Sequence, residues 1–280
     1  MRFVRVLITL TLVSSLLGCY GQGFGGTDTG PARSPDQGNS TPAEKLDLFS
    51  EQGVKDPNWI DTDQNSLNIA NFTSYTQLNN ETVFATDPLD KNLEHYENVH
   101  SHYFADQSEF WSNYTFRGKI KIEEDDASAG VTFLSQYPYE RSYYRIRQFV
   151  ATNAEKQRFR KEYHLTFPEA GGWDSKHVCK RADGVEEGDY TSNVIPVAGV
   201  WYYFEIKVII HDDSTEIQAK IWPELLPQPR ELQIHCFDFR PERLTNGTVG
   251  IWHGVWDKQY QSNYDGGRKF YDDFSVEFDD

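Results

Sequence analysis

The sequence predicts an all-β protein, an antiparallel β-sandwich built as a single domain, and three observations carry that expectation. Period-two alternation of apolar and polar residues recurs through its second half, the mark of half-buried strands. Polar turns of Gly, Asn, Asp and Ser separate the alternating runs. No long segment shows the 3.6-residue apolar period of a helix, and aromatic residues make up 15% of the chain, which suits a sandwich core.

The most regular runs begin at Tyr114. Tyr114, Phe116, Gly118, Ile120 and Ile122 alternate with Thr115, Arg117, Lys119, Lys121 and Glu123. The acidic turn Glu124-Asp125-Asp126 leads to a second strand over Ala129–Tyr137, and Arg141–Val150 with Arg158–Phe167 read as a further pair. Val200–Ile210 carries Tyr202, Phe204, Ile206, Val208 and Ile210 on one face, and His211-Asp212-Asp213-Ser214 turns it into the strand of Ile217, Ala219 and Ile221. Asn246-Gly247 supplies a turn that tolerates positive φ before a short strand containing Gly250. In the last run Phe270, Asp272, Phe274, Val276 and Phe278 share one phase, and Tyr271, Asp273, Ser275 and Glu277 share the other. Residues 45–113 give no clear strand layout.

The N-terminus reads as a targeting segment. Arg2 and Arg5 precede an apolar run from Val6 to Leu17 that is too short to span a bilayer. Leu16-Leu17-Gly18-Cys19 resembles a bacterial lipobox, which implies a signal peptide over 1–18, a lipidated Cys19 and a place in the bacterial cell envelope, on the outer membrane or cell surface. Residues 19–44, rich in Gly, Ser, Thr, Pro, Asp and Asn, read as a flexible tether to a domain over 45–280. The lipid anchor is then the only expected membrane contact. A formal charge of −16 argues against nucleic acid as a partner. Cys179 and Cys236 remain, either as a disulfide worth roughly 4 kcal/mol through loop entropy or as two buried thiols.

The stretch Gly247-Thr248-Val249-Gly250-Ile251-Trp252, the closing Asp272-Asp273-Phe274 strand and the hairpin Trp201-Tyr202-Tyr203-Phe204 with Ala219-Lys220-Ile221-Trp222 resemble the concanavalin A-like, laminin G-like jelly-roll domains. That resemblance covers about residues 114–278. It implies a jelly roll and a polysaccharide or other glycan as partner, but lectins, binding modules, hydrolases, lyases and adhesion domains all share this fold, so activity has to be argued from a site.

Two candidate sites stand out. From Arg141 to Lys161 the chain holds seven basic residues and one acid, a basic island in an acidic protein. Arg141, Tyr143, Arg145 and Arg147 share a strand phase, and Arg158, Arg160 and His164 share another. Arg grips a uronate carboxylate bidentately and Tyr packs on the sugar ring; the plainer reading is an outer face of ordinary surface ion pairs. The second candidate, Gln233-Ile234-His235, resembles the Gln-Ile/Val-His motif of jelly-roll alginate lyases, and Arg141-Ser142-x-x-Arg145 echoes their Arg-Ser-Glu-Leu-Arg motif, with Tyr143-Tyr144 in place of Glu-Leu. The resemblance implies that Arg145 and Gln233 neutralise the carboxylate, with His235 as base and Tyr143 as acid. The expectation is one concave surface lined by Arg145, Arg147, His164, Gln233 and His235, with Arg160 a further carbohydrate-binding candidate.

Trp256 and Tyr260, in a loop with no buried pattern, are the sugar-stacking candidates, whereas Trp201, Trp222 and Trp252 read as core or strand edge. His95, His100 and His102 form a possible but incomplete metal cluster. Asp272, in the core phase of the last strand, needs a compensating partner, and the jelly-roll resemblance implies a structural Ca²⁺ there; backbone N–H groups or an Arg would serve equally. The functional expectation is polysaccharide binding at the cell surface, with a lyase acting on a uronic-acid glycan and an adhesion module as alternatives.

Overall fold

Alternation decides which side chains face inward, and the computed structural model shows the result for residues 44–49, 55–62, 73–86, 98–125, 127–137, 139–140, 142–149, 161–167, 178–254 and 267–279. The chain separates into two units, 1–41 and 42–280, and every described residue belongs to the second. Arg141, Arg160, His95, Trp256, Tyr260 and Cys19 lie outside the described residues.

Fourteen strands and one turn of 3-10 helix (Ser108–Phe110) are present among the described residues. Sheet A contains β3 (Thr73–Leu78), β4 (Glu81–Thr86), β6 (Tyr114–Ile122), β10 (Trp201–Ile210), β11 (Thr215–Pro223), β12 (Ile234–Asp238) and β14 (Lys269–Phe278), in the order β12-β11-β10-β6-β14-β4-β3. A short β1 (Lys45–Asp47) also pairs with β14. Sheet B runs β2-β5-β13-β7-β8-β9, comprising β2 (Trp59–Thr62), β5 (Asn98–Tyr103), β7 (Ser128–Ser135), β8 (Tyr144–Gln148), β9 (His164–Thr166) and β13 (Thr248–Gly254). Every pairing is antiparallel.

The two sheets close on one apolar core. Tyr114, Phe116, Ile120 and Ile122 of β6 meet Val131 and Phe133 of β7, Tyr144 and Ile146 of β8, Leu165 of β9 and Ile251 of β13, all buried. The ring of Phe274 stands edge-on to Phe116 (5.0 Å, 89°) and Phe204 (5.4 Å, 88°), contacts worth about 1 kcal/mol each beyond their burial. Before β13, Gly247 has φ 144°, a value open to glycine and closed to residues with a Cβ, as the Asn-Gly pair predicts.

The last strand departs from its sequence phase. Asp273 has φ 56°, and the register of β14 against β6 shifts between Asp272 and Ser275. This bulge resets the alternation. Tyr271, Phe274 and Val276 therefore face the core, while Phe270 joins Val83, Ala85 and Trp201 in a second cluster on the outer face of sheet A. Asp272 is not in the core phase.

Both lateral openings of the sandwich are fastened. On one side Asp61 of β2, fully buried, accepts hydrogen bonds from the Thr73 N–H (3.0 Å) and hydroxyl (2.8 Å) of β3 and pairs with Lys55 (2.8 Å), tying the edge of sheet B to the edge of sheet A. On the other side, single bridges join Lys180 to Phe237 and Asp189 to His235 of β12, and Thr191 to His164 of β9. A disulfide joins Cys179 to Cys236, 57 positions apart in the chain.

Candidate functional site

On sheet B the residues between the core positions face outward, and they carry most of the chemistry. The cross-strand register sets them in two rows. His100, Trp252, Gly130, Arg147 and His164 follow one another across β5, β13, β7, β8 and β9; His102, Gly250, Thr132, Arg145 and Thr166 form the next row. A Cβ on Gly130 would come within 2.4 Å of the Ile146 carbonyl oxygen, so the middle of the first row has to be bare. Its large neighbours are Trp252 and Arg147.

Trp252 is the floor of this face. The Arg145 guanidinium lies 4.4 Å from the centroid of its indole and the Arg147 guanidinium 5.1 Å, both within cation–π range. Arg145 also lies 5.6 Å from the Tyr143 ring, and its Nε–H donates to the Thr166 hydroxyl at 3.1 Å. Arg147 lies 4.7 Å from the Phe149 ring. On the other flank His100 and His102 stack at 5.3 Å, His102 stacks on Tyr137 at 4.2 Å, and His100 lies 4.9 Å from Tyr143. His102 Nδ1 is hydrogen-bonded to the Ser135 hydroxyl at 3.0 Å, and His164 Nδ1 donates to the Glu162 carbonyl at 2.9 Å.

Burial sets the electrostatics here. Arg145 and Arg147 are 2% and 0% exposed. Burial lowers both guanidinium pKa values, and the like charge of Arg145 lowers that of Arg147 further. Burial also takes His102 down to about 3, so its ring is neutral at physiological pH. The face thus combines a desolvated cationic pair, an indole, two tyrosines and three histidines. Trp252, Tyr137, Tyr143, His100, His102 and His164 are buried with them, so the set can receive an anionic group through the guanidinia and a ring against the aromatics only once these side chains are uncovered.

The single concave surface expected from the sequence is corrected here. Arg145, Arg147, His164 and Tyr143 do share the outer face of sheet B, but Gln233 and His235 lie at β12 on the far edge of sheet A. Gln233 acts there as a strand surrogate: its amide oxygen accepts the Ile221 N–H (2.6 Å) and its amide nitrogen donates to the Ser192 carbonyl (3.3 Å). His235 Nε2 is bonded to Glu216 at 2.8 Å, whose second oxygen meets His211 Nε2 at 2.9 Å. Burial works to raise the Glu216 pKa, but hydrogen bonds from Gln218, His211 and His235 outweigh it, so the carboxyl lies below its ordinary range. A three-residue match could not report which sheet its strand joins.

Trp252, His100 and His102 belong to the face without having been assigned to it from the sequence. Their signal was present: His100 and His102 alternate with Ser101 and Tyr103, and Trp252 with Ile251, so each points away from the core. Among the described residues no group of three or more His, Cys, Asp and Glu is arranged to hold a metal ion.

Asp272 has an ammonium as a compensating partner. Lys119 Nζ lies 3.1 Å from both Asp272 and Asp273. Asp47, which lines the same 460 Å³ cleft, pairs with Lys45 at 3.0 Å. Asp272 and Asp273 share one lysine, and burial still raises the Asp272 pKa although Lys119 works against it; the bulge has taken Asp272 out of the core phase.

The two antiparallel sheets packed face to face form a jelly-roll β-sandwich. The chain is similar to the crystal structure of a PL-14 alginate lyase from Aplysia kurodai (TM-score 0.50, 11% identity, 85% of this chain and 99% of that one). It also aligns with alginate lyase Aly36B (TM-score 0.47, 7% identity, 86% and 100%) and with peanut lectin (TM-score 0.43, 7% identity, 84% and 95%). At 11% identity the likeness to the Aplysia kurodai lyase shows the fold alone. No family model and no curated sequence matches the chain.

Proposed function

We propose that the protein binds an acidic polysaccharide on the outer face of sheet B. One observation carries the reading: Arg145 and Arg147 converge on Trp252, two cations and one aromatic plane on adjacent rows of one sheet. A uronate presents the matching pair of features, a carboxylate for guanidinium groups and a C–H face for an indole. The lipobox-like Leu16-Leu17-Gly18-Cys19 adds the expectation that Cys19 anchors this domain in the bacterial envelope. Affinity electrophoresis in gels containing alginate or pectate tests the binding. Wild type should be retarded, and Arg145→Ala or Arg147→Ala should weaken binding by about tenfold or more, the worth of a charge-assisted contact. Unchanged retardation of both variants would overturn the reading.

A lyase is the second reading, favoured by Tyr143, which sits beside both Arg145 and His100. β-Elimination removes the proton next to a neutralised carboxylate, breaks the C4–O bond and leaves a double bond, with the proton passing to a base and the leaving oxygen taking one from an acid. Guanidinia, a phenol and imidazoles beside one another meet that list. Growth of ultraviolet absorbance from unsaturated products on alginate or pectate would establish it; binding without any such product leaves the protein a binder.

A further inference from the structure

The opposite face of the sandwich carries a second, chemically different surface. Tyr203 of β10 and Trp222 of β11 are direct cross-strand partners. Their rings are stacked, with centroids 5.7 Å apart and 29° between planes, and both residues are partly exposed, so the pair forms an aromatic platform at the surface. Glu205, two residues along β10 on the same side as Tyr203, leads from the platform into a groove of 240 Å³. Arg117, Lys207 and Lys220 line that groove together with Glu205, Glu277 and Asp279. Arg117 pairs with Glu205 (2.9 Å) and with Glu277, and Lys207 pairs with Asp279 (2.8 Å).

We propose that this platform and groove form a second glycan site, on sheet A, for uncharged sugar rings. A pyranose has a C–H face that stacks on aromatic rings and a rim of hydroxyls, each both donor and acceptor. The platform suits the face. The groove suits the rim, because three cations and three carboxylates line it and offer both donors and acceptors. Their charges sum to zero, so a polyanion gains nothing here, in contrast to the Arg145 and Arg147 face. The ion pairs also hold these side chains in place before a ligand arrives, which reduces the ordering cost of binding. The proposal does not depend on the acidic-glycan reading of sheet B; it adds a second, independent surface for a different class of sugar.

The test is affinity electrophoresis in gels containing hydroxyethyl cellulose, an uncharged β-linked glucan, or laminarin, with alginate gels alongside. Wild type should be retarded by at least one neutral glucan. Trp222→Ala and Tyr203→Ala should each weaken that binding by about tenfold and leave alginate retardation as in wild type, while Arg145→Ala should do the reverse. Trp222→Phe, which keeps a ring and disturbs the sheet less, should fall between wild type and Trp222→Ala. Wild type unretarded by both neutral glucans, or Trp222→Ala and Tyr203→Ala retarded like wild type, would overturn the proposal whatever alginate does.

Discussion

His102 is the residue whose protonation should be read most directly in the stability of the fold. Burial depresses its pKa from 6.5 to about 3, so the folded chain holds it neutral while the unfolded chain takes up a proton below pH 6.5. A depressed folded value means that its contribution is intact above pH 6.5 and lost as pH falls toward 3, at up to about 1.4 kcal/mol per pH unit. Buried His253, lowered by burial and by neighbouring Lys269, acts in the same direction. Urea midpoints should therefore drop steadily from pH 7 to pH 4, and His102→Gln should flatten that slope; an unchanged slope would remove His102 from the account. Asp272 gives the second test at this scale. Lys119 already faces both Asp272 and Asp273 and lies 5.1 Å from the Trp201 ring. A chelator should leave the melting temperature where it is, and Lys119→Met should lower stability by about 2 kcal/mol, a network with a buried lysine and one exposed carboxylate falling between a surface pair and a fully buried one. A chelator-dependent melting curve would instead restore calcium.

At the scale of elements, the strands with unbroken alternation were the legible ones. The run from Tyr114 became β6 with its inward residues as expected, and Val200–Ile210 became β10 within one residue. β14 misled because Asp272-Asp273 continues the alternation in sequence while a left-handed Asp273 adds a residue in space; nothing in an Asp-Asp pair announces a bulge. The segment carrying Cys179 is equally silent, since its partners on β12 and β9 are distant in the chain. Its clasp can be measured. The loop-entropy model gives roughly 4 kcal/mol for the closed loop, so Cys236→Ser should cost about that much by chemical denaturation. A cost under ~1 kcal/mol would show that the bridges at Lys180, Asp189 and Thr191 suffice alone.

For the whole molecule, the sequence announced that arginines, a tyrosine and a histidine would assemble but could not say on which sheet. Arg145, Arg147 and His164 were legible because they lie on neighbouring strands close in sequence. His100, His102 and Trp252 reach the same face from β5 and β13, and Gln233 and His235 leave it for β12, because strand order is settled by core packing across the whole chain. The proposed lipid anchor at Cys19 is also tested on the whole molecule. Cys19→Ser should move the protein from the membrane fraction to the soluble fraction, and identical fractionation of the two forms would refute lipidation.

The segment from Val178 to Ser192 lies along β12 of sheet A and reaches β9 of sheet B, so it hides the last strand of each. Unclasped, those two strands would present bare rows of N–H and C=O groups, the template on which a foreign chain adds as one more strand. The cystine is in that sense a guard against polymerisation as much as a brace. A reduced protein, or Cys236→Ser, held at high concentration should form oligomers that scatter light and bind amyloid dyes, while the oxidised protein stays dispersed under the same conditions.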